Sequence, residues 1–142
     1  MGSVRVPLPL IGPTFLFATL VAMSISNYAE NKLLDTLSNT SFAVTTSYVK
    51  LHTGDPGETG ASNAATETTR KAVSWSAAAS GSKASSATLE WTNVAATETY
   101  THWSLWDNST AGNCLWTGSL SSSAAVTAGD TFQITTLTLS LD

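Results

Sequence analysis

The side chains able to do chemistry in this sequence are few, and they do not gather along the chain. Histidine occurs twice, at His52 and His102. A nucleophilic serine needs a histidine base and an acidic residue to orient it, and the three must meet in space. Serines are so frequent here that their presence selects none, and no Gly-x-Ser-x-Gly elbow occurs. His52 stands shortly before Asp55, a pair that offers two metal donors where a site needs more. Glu58, Glu67, Glu90 and Glu98 are the carboxylates available for paired acid–base work on a glycosidic bond, but they share no spacing pattern. Glu90 falls between Leu89 and Trp91, where a strand would turn it outward. Gly54 and Gly57 flank Asp55-Pro56 in a turn that lacks the Lys-Ser/Thr of a phosphate loop. The single cysteine, Cys114, excludes an internal disulfide and a thiolate-rich metal site, and reads as a small apolar residue on a strand. No catalysis, metal or cofactor is expected.

Charge is equally sparse. Charged residues make up 11% of the 142, and the net charge is −4. That is less than half the usual share of charge. Arg5, Lys32, Lys50, Arg70, Lys71 and Lys83 are scattered, whereas phosphate backbones are held by concentrated positive charge. A direct nucleic-acid partner is therefore not expected. Low surface charge suits a protein that hides much of its surface in contacts.

The elements that must position these residues are mostly strands. One amphipathic helix is expected from about Tyr28 to Leu37, with Asn27 as its cap and Glu30 completing a capping box. Ala29, Leu33 and Leu37 recur on one face, which would cover one end or face of a sheet. From there the period changes to two. Strands are expected at Ser47–His52, Lys71–Trp75, Thr88–Val94, Tyr100–Asp107, Cys114–Leu120 and Thr131–Leu141. Between them lie a polar loop from Glu58 to about Thr69, a small-residue linker from Ala77 to Ser86, and a loop from Ser121 to Asp130. In the last strand the apolar phase slips between Ile134 and Leu137, which predicts a bulge or bend near Thr135-Thr136.

Six or so strands with polar turns predict a mainly β fold: an antiparallel β-sandwich or jelly-roll-like barrel with one short N-terminal helix. Val73, Trp75, Leu89, Trp91, Trp103, Leu105, Phe132, Ile134 and Leu139 are the expected core. Trp106 and Trp116 fall on the opposite face of the central hairpin, where they fit a protein interface, a second covered face or a sugar-stacking surface. Residues 1–25 are read separately from the 26–142 domain. Their apolar run is interrupted by Pro9, Gly12 and Pro13, and is too short for a comfortable membrane span. An extended arm that docks in a neighbour's groove, an incidental extension and a signal sequence all fit. The arm reading makes Val6, Leu8, Leu10, Ile11, Phe15 and Phe17 interface candidates alongside Trp106 and Trp116.

Several ordered stretches carry a resemblance. They are Asn27 to Asp35, Tyr48 to Gly60 with its Leu-His-Thr-Gly-Asp-Pro-Gly core, Arg70 to Trp75, Thr101 to Asp107, and Ala128 to Phe132. Together they resemble a family of small tailed-phage virion proteins labelled tail fibre or minor tail proteins, some of which sit on the head. The resemblance covers roughly Ser26 to Asp142. Where that family has a glycine-rich segment before the Arg70 strand, this chain has Ala61 to Thr69. The resemblance implies a structural role in the virion with no cofactor. The expected partners are the major capsid protein or other virion proteins, with the chain present as a homo-oligomer or in many copies. Capsid decoration is the expected role, since an apolar arm ordered against a shell would bury its surface. The alternative is a tail-associated or tail-fibre protein involved in host attachment.

Overall fold

The computed structural model describes residues 15–18 and 20–141. It contains ten strands and one helix: β1 (Phe15–Ala18), β2 (Leu20–Ile25), α1 (Asn27–Thr36), β3 (Ser47–His52), β4 (Lys71–Val73), β5 (Ser82–Ala84), β6 (Leu89–Trp91), β7 (Glu98–Trp106), β8 (Cys114–Val126), β9 (Thr131–Ile134) and β10 (Thr138–Ser140). They form a five-stranded sheet in the order β2-β8-β7-β3-β4, a three-stranded sheet in the order β1-β9-β6, and the pair β10-β5. The protein is mainly β, as expected. Pairing is not antiparallel throughout, because β1 runs parallel to β9 with Phe15 beside Thr131 and Ala18 beside Ile134. Within the segment read as an arm, residues 15–18 and 20–25 thus pair with β9 and β8. Residues 1–14, with the interface candidates Val6, Leu8, Leu10 and Ile11, lie outside the described residues.

The helix starts one residue earlier than expected, and its cap is Ser26, not Asn27. The cause lies in the preceding strand. The Ser26 amide donates to the Leu115 carbonyl at 3.0 Å, which continues the β2–β8 pairing and holds Ser26 extended. Its Oγ then accepts from the Ala29 amide at 3.3 Å, filling one of the free donors of the first turn. Glu30 is four residues on from this cap and forms no capping box; the Asn27 amide is instead met by Glu58 at 3.3 Å. Only Ala29 of the helix is buried. Leu37, expected on the covered face, is 84% exposed, and Leu34 is 63% exposed.

The core forms where alternation was strongest. Val49 and Leu51 of β3 and Trp103 and Leu105 of β7 are buried side by side, with Leu51 registered opposite Trp103 and Val49 opposite Leu105. Across from them, Trp91 of β6 and Phe132 of β9 meet with ring centroids 5.8 Å apart. Tyr100 of β7 packs edge-on against Phe132 at 5.0 Å, joining the three-stranded and five-stranded sheets. Trp75 and Leu139 are only partly buried at the edge of this core.

Two expected loops are strands. The Ala77–Ser86 linker contains β5, which turns back at Ser80 and Gly81, both at positive φ, and pairs with β10. β8 does not stop at Leu120 but continues to Val126, pairing with β7 as far as Glu98. The phase slip near Thr135-Thr136 marks a change of sheet. β9 ends at Ile134 beside β6, and β10 begins at Thr138 beside β5. No described helix is long and apolar enough to cross a membrane.

Candidate functional site

Of the polar residues singled out from the sequence, His52, Asp55, Glu58, Glu67, Glu98 and His102 lie in or beside the 53–69 loop, which folds back over β3 and β7. Ala65 donates to the Leu51 carbonyl at 3.1 Å and Thr53 to the Asn63 carbonyl at 2.9 Å, so the loop returns beside the strand it left. Gly60 sits at φ +65, a left-handed conformation that favours glycine. A Cβ there would stand 2.7 Å from the Cys114 sulfur and 2.8 Å from the Trp106 ring. The loop backbone therefore lies directly on these two side chains.

Under it, His52 and Ser104 are wholly buried. The His52 Nδ1 is 2.9 Å from the Ser62 carbonyl, which can only accept, so Nδ1 carries the proton. Nε2 then accepts from the Ser104 hydroxyl at 2.7 Å, and that oxygen accepts from the Trp106 indole N–H at 2.7 Å. Burial is the main force that lowers the His52 pKa to about 4, with the Lys50 and His102 charges acting the same way and the carbonyl bond to Ser62 opposing them. A serine donating to a histidine has the outline of a nucleophilic dyad. Here the hydroxyl has no solvent access, and a backbone carbonyl stands where a carboxylate would orient the ring. The arrangement ties the loop to β3 and β7.

Carboxylates play the same part elsewhere. Among the described residues, six of the nine acidic side chains accept backbone amides. Asp55 takes Gly57 at 2.8 Å, Glu67 takes Thr69 at 3.0 Å, Asp107 takes Asn113 at 2.7 Å and Asp130 takes Thr127 at 2.8 Å. Glu58 holds the start of α1, and Glu98 takes Thr66 at 3.0 Å and Glu67 at 3.3 Å. Glu90 faces outward and bonds Gln133 on the neighbouring strand. These six carboxylates fasten turns, loops and the start of the helix.

The candidates read from the sequence are placed as follows. His52 and Asp55 do not converge on an ion, and no group of three or more His, Cys, Asp or Glu side chains suited to a metal occurs among the described residues. His102 is partly exposed, with Nδ1 2.8 Å from the Thr101 hydroxyl, and it borders an open cleft of about 360 Å³ with Asp55, Glu58, Ser24 and Ser119. Cys114 is buried on β8, and burial raises its thiol pKa to about 11. Phe15 and Phe17 lie on β1, opposite Thr131 and Gln133. Trp106 and Trp116 are 8% and 9% exposed. Arg70 lies over the Trp106 ring, whereas Trp116 borders two hollows beside β5 and β10.

The sequence reading passed over Arg70, Ser104 and Gly60. Only the turn residues around Gly60 carried a local signal; Arg70 and Ser104 acquire partners through sheet register, which no short motif encodes.

Fold and site together define a mainly β protein in which the buried His52–Ser104 pair and six carboxylates fasten its own backbone. The chain belongs to the family described as podophage GP4 fiber I protein gp80, which matches residues 24–142. It is a virion structural protein of the phage fibre family. No curated protein matches the chain.

Proposed function

We propose that the chain is a tail-fibre component that takes part in host attachment through protein–protein contact, without catalysis. The family match over residues 24–142 carries this reading, and it favours the tail over the capsid-decorating role expected from the sequence. The site supports it as well. The buried Ser104–His52 pair offers no reachable nucleophile, and most carboxylates are held by backbone amides. A block built this way acts by its shape. Its partners are other virion proteins and further copies of itself, and multiplicity on one particle turns modest single contacts into firm attachment. We also read the three-stranded and five-stranded sheets as two layers of a sandwich, supported by Phe132 packing on Tyr100 between them.

The test is to locate the protein on purified particles with gold-labelled antibodies raised against residues 24–142. Label on the tail fibres, together with inhibition of particle adsorption by the free protein, is the expected result. Label spread over the head shell would overturn the fibre reading and restore capsid decoration.

A further inference from the structure

Two hollows of about 210 and 240 Å³ adjoin between α1, the start of β8 and the β5–β10 pair, sharing Lys83, Trp116 and Leu139. Phe42, Trp75 and Leu33 add apolar wall to the first, and Leu141, which is 54% exposed, to the second. Phe42 is fixed by an edge-on contact with Tyr28 at 6.3 Å. The result is an apolar groove walled by Trp75 and Trp116, in which Phe42, Val44, Trp75 and Leu139 are only partly buried.

The sequence contains a segment of matching chemistry. Val6, Leu8 and Leu10 alternate with Pro7 and Pro9. Proline has no amide to give to a strand ladder and favours an extended backbone, so such a segment binds through side chains in aromatic-walled grooves rather than by adding a strand. Two adjoining hollows suit alternate side chains of an extended segment. The direction of β1 decides whose segment it is. β1 runs parallel to β9, so the chain enters β1 at the Thr131 end, whereas the groove is reached from the Ile134 end through β10. The groove begins at Trp116, opposite Ile25 at the far end of β2, so all of β1 and β2 separates it from Phe15, and a neighbouring copy's segment suits it better than the chain's own.

We propose that residues 6–10 of one copy dock in the α1–β5–β10 groove of a neighbouring copy. This holds wherever the protein sits on the particle, so its outcome is independent of antibody labelling. The test uses the full chain. A chain carrying Leu8→Cys is mixed with a size-tagged chain carrying Lys83→Cys and oxidised, and the products are separated on a non-reducing gel. A mixed disulfide dimer, well above that formed with a control carrying Thr92→Cys at an exposed site outside the groove, is the expected result. Absence of the mixed dimer overturns the proposal, as does a within-chain link in the double variant without it, which would assign the groove to the chain's own segment. In parallel, the unsubstituted chain should sediment as an oligomer, and the combined Leu8→Asp and Leu10→Asp variant as a monomer with unchanged circular dichroism. A monomeric parent, or an oligomeric variant, overturns it equally.

Discussion

The guanidinium carbon of Arg70 stands 3.9 Å from the centroid of the Trp106 ring, and one of its nitrogens donates to the Asn108 carbonyl at 2.8 Å and the Ala111 carbonyl at 2.7 Å. One side chain thus covers an indole and closes the β7–β8 turn, in which Ala111 and Gly112 both take positive φ. Lysine cannot reproduce a planar group that stacks and bonds together. Arg70→Lys should lower stability by about 1–2 kcal/mol in urea unfolding, the combined scale of a stacked cation and a hydrogen bond. An unchanged midpoint would show that the stacking contributes nothing.

Gly57 and Gly60 allow a matched comparison. Both adopt positive φ, +66 and +65, so alanine carries a similar backbone penalty of about 1 kcal/mol at each. Their surroundings differ. A Cβ at Gly57 would meet nothing closer than the Ser62 hydroxyl at 4.0 Å, whereas one at Gly60 would meet Cys114 at 2.7 Å and Trp106 at 2.8 Å. Gly60→Ala should therefore cost about 2 kcal/mol more than Gly57→Ala, the scale of an overpacked contact. Equal thermal unfolding curves for the two variants would mean that the loop does not rest on Trp106.

These relationships also show where the sequence was legible. β3, β6 and β7 could be read because bulky and polar residues alternate along them, as in Leu89-Glu90-Trp91, and period two has few other causes. β5 is Ser-Lys-Ala and β8 beyond Leu120 is Ser-Ser-Ser-Ala-Ala-Val, whose mostly small or flexible side chains leave no such pattern. Their strand identity comes from their neighbours. The slip after Ile134 was visible as a phase change, yet whether it meant a bulge or a change of sheet depended on where β5 lay. For the same reason the His52–Ser104 pair was invisible: 52 residues separate them, and the β3–β7 register brings them together. The helix start was misplaced because the pairing of Ser26 with Leu115 decides it, and local capping signals contain no trace of that bond.

Trp103 separates the value of a ring from that of its polar atom. It is fully buried, and its indole N–H has no hydrogen-bond partner among the described residues. Trp103→Ala should cost about 3–5 kcal/mol through lost burial and the cavity left behind. Trp103→Phe keeps an aromatic ring and removes an unpaired donor, whose burial carries a penalty of about 1–3 kcal/mol. It should therefore lose less than half of what alanine loses in chemical denaturation. A phenylalanine variant as unstable as the alanine one would show that the N–H has a partner in solution.

His52 makes stability depend on pH in a definite direction. Its pKa falls from 6.5 to about 4 in the folded chain, chiefly through burial, so the unfolded chain binds the proton more readily. The stability it contributes is fully present above pH 6.5, declines as the pH falls from 6.5 to about 4, and is gone below that. The difference between the two pKa values corresponds to about 3 kcal/mol. Protonation also converts Nε2 from acceptor to donor. The Ser104 oxygen, already accepting from Trp106, must then redirect its own proton within a buried site. Lys50 and His102, the charges acting on the ring, both oppose protonation, so neither rescues it. A variant isolates the contribution of the histidine. In His52→Asn the ring proton is lost, and stability measured by urea unfolding between about pH 7 and pH 4 should fall by about 3 kcal/mol less than in the parent chain. Parallel profiles for the two proteins would mean that His52 titrates alike folded and unfolded, and that the Ser62–His52–Ser104 chain does not hold in solution.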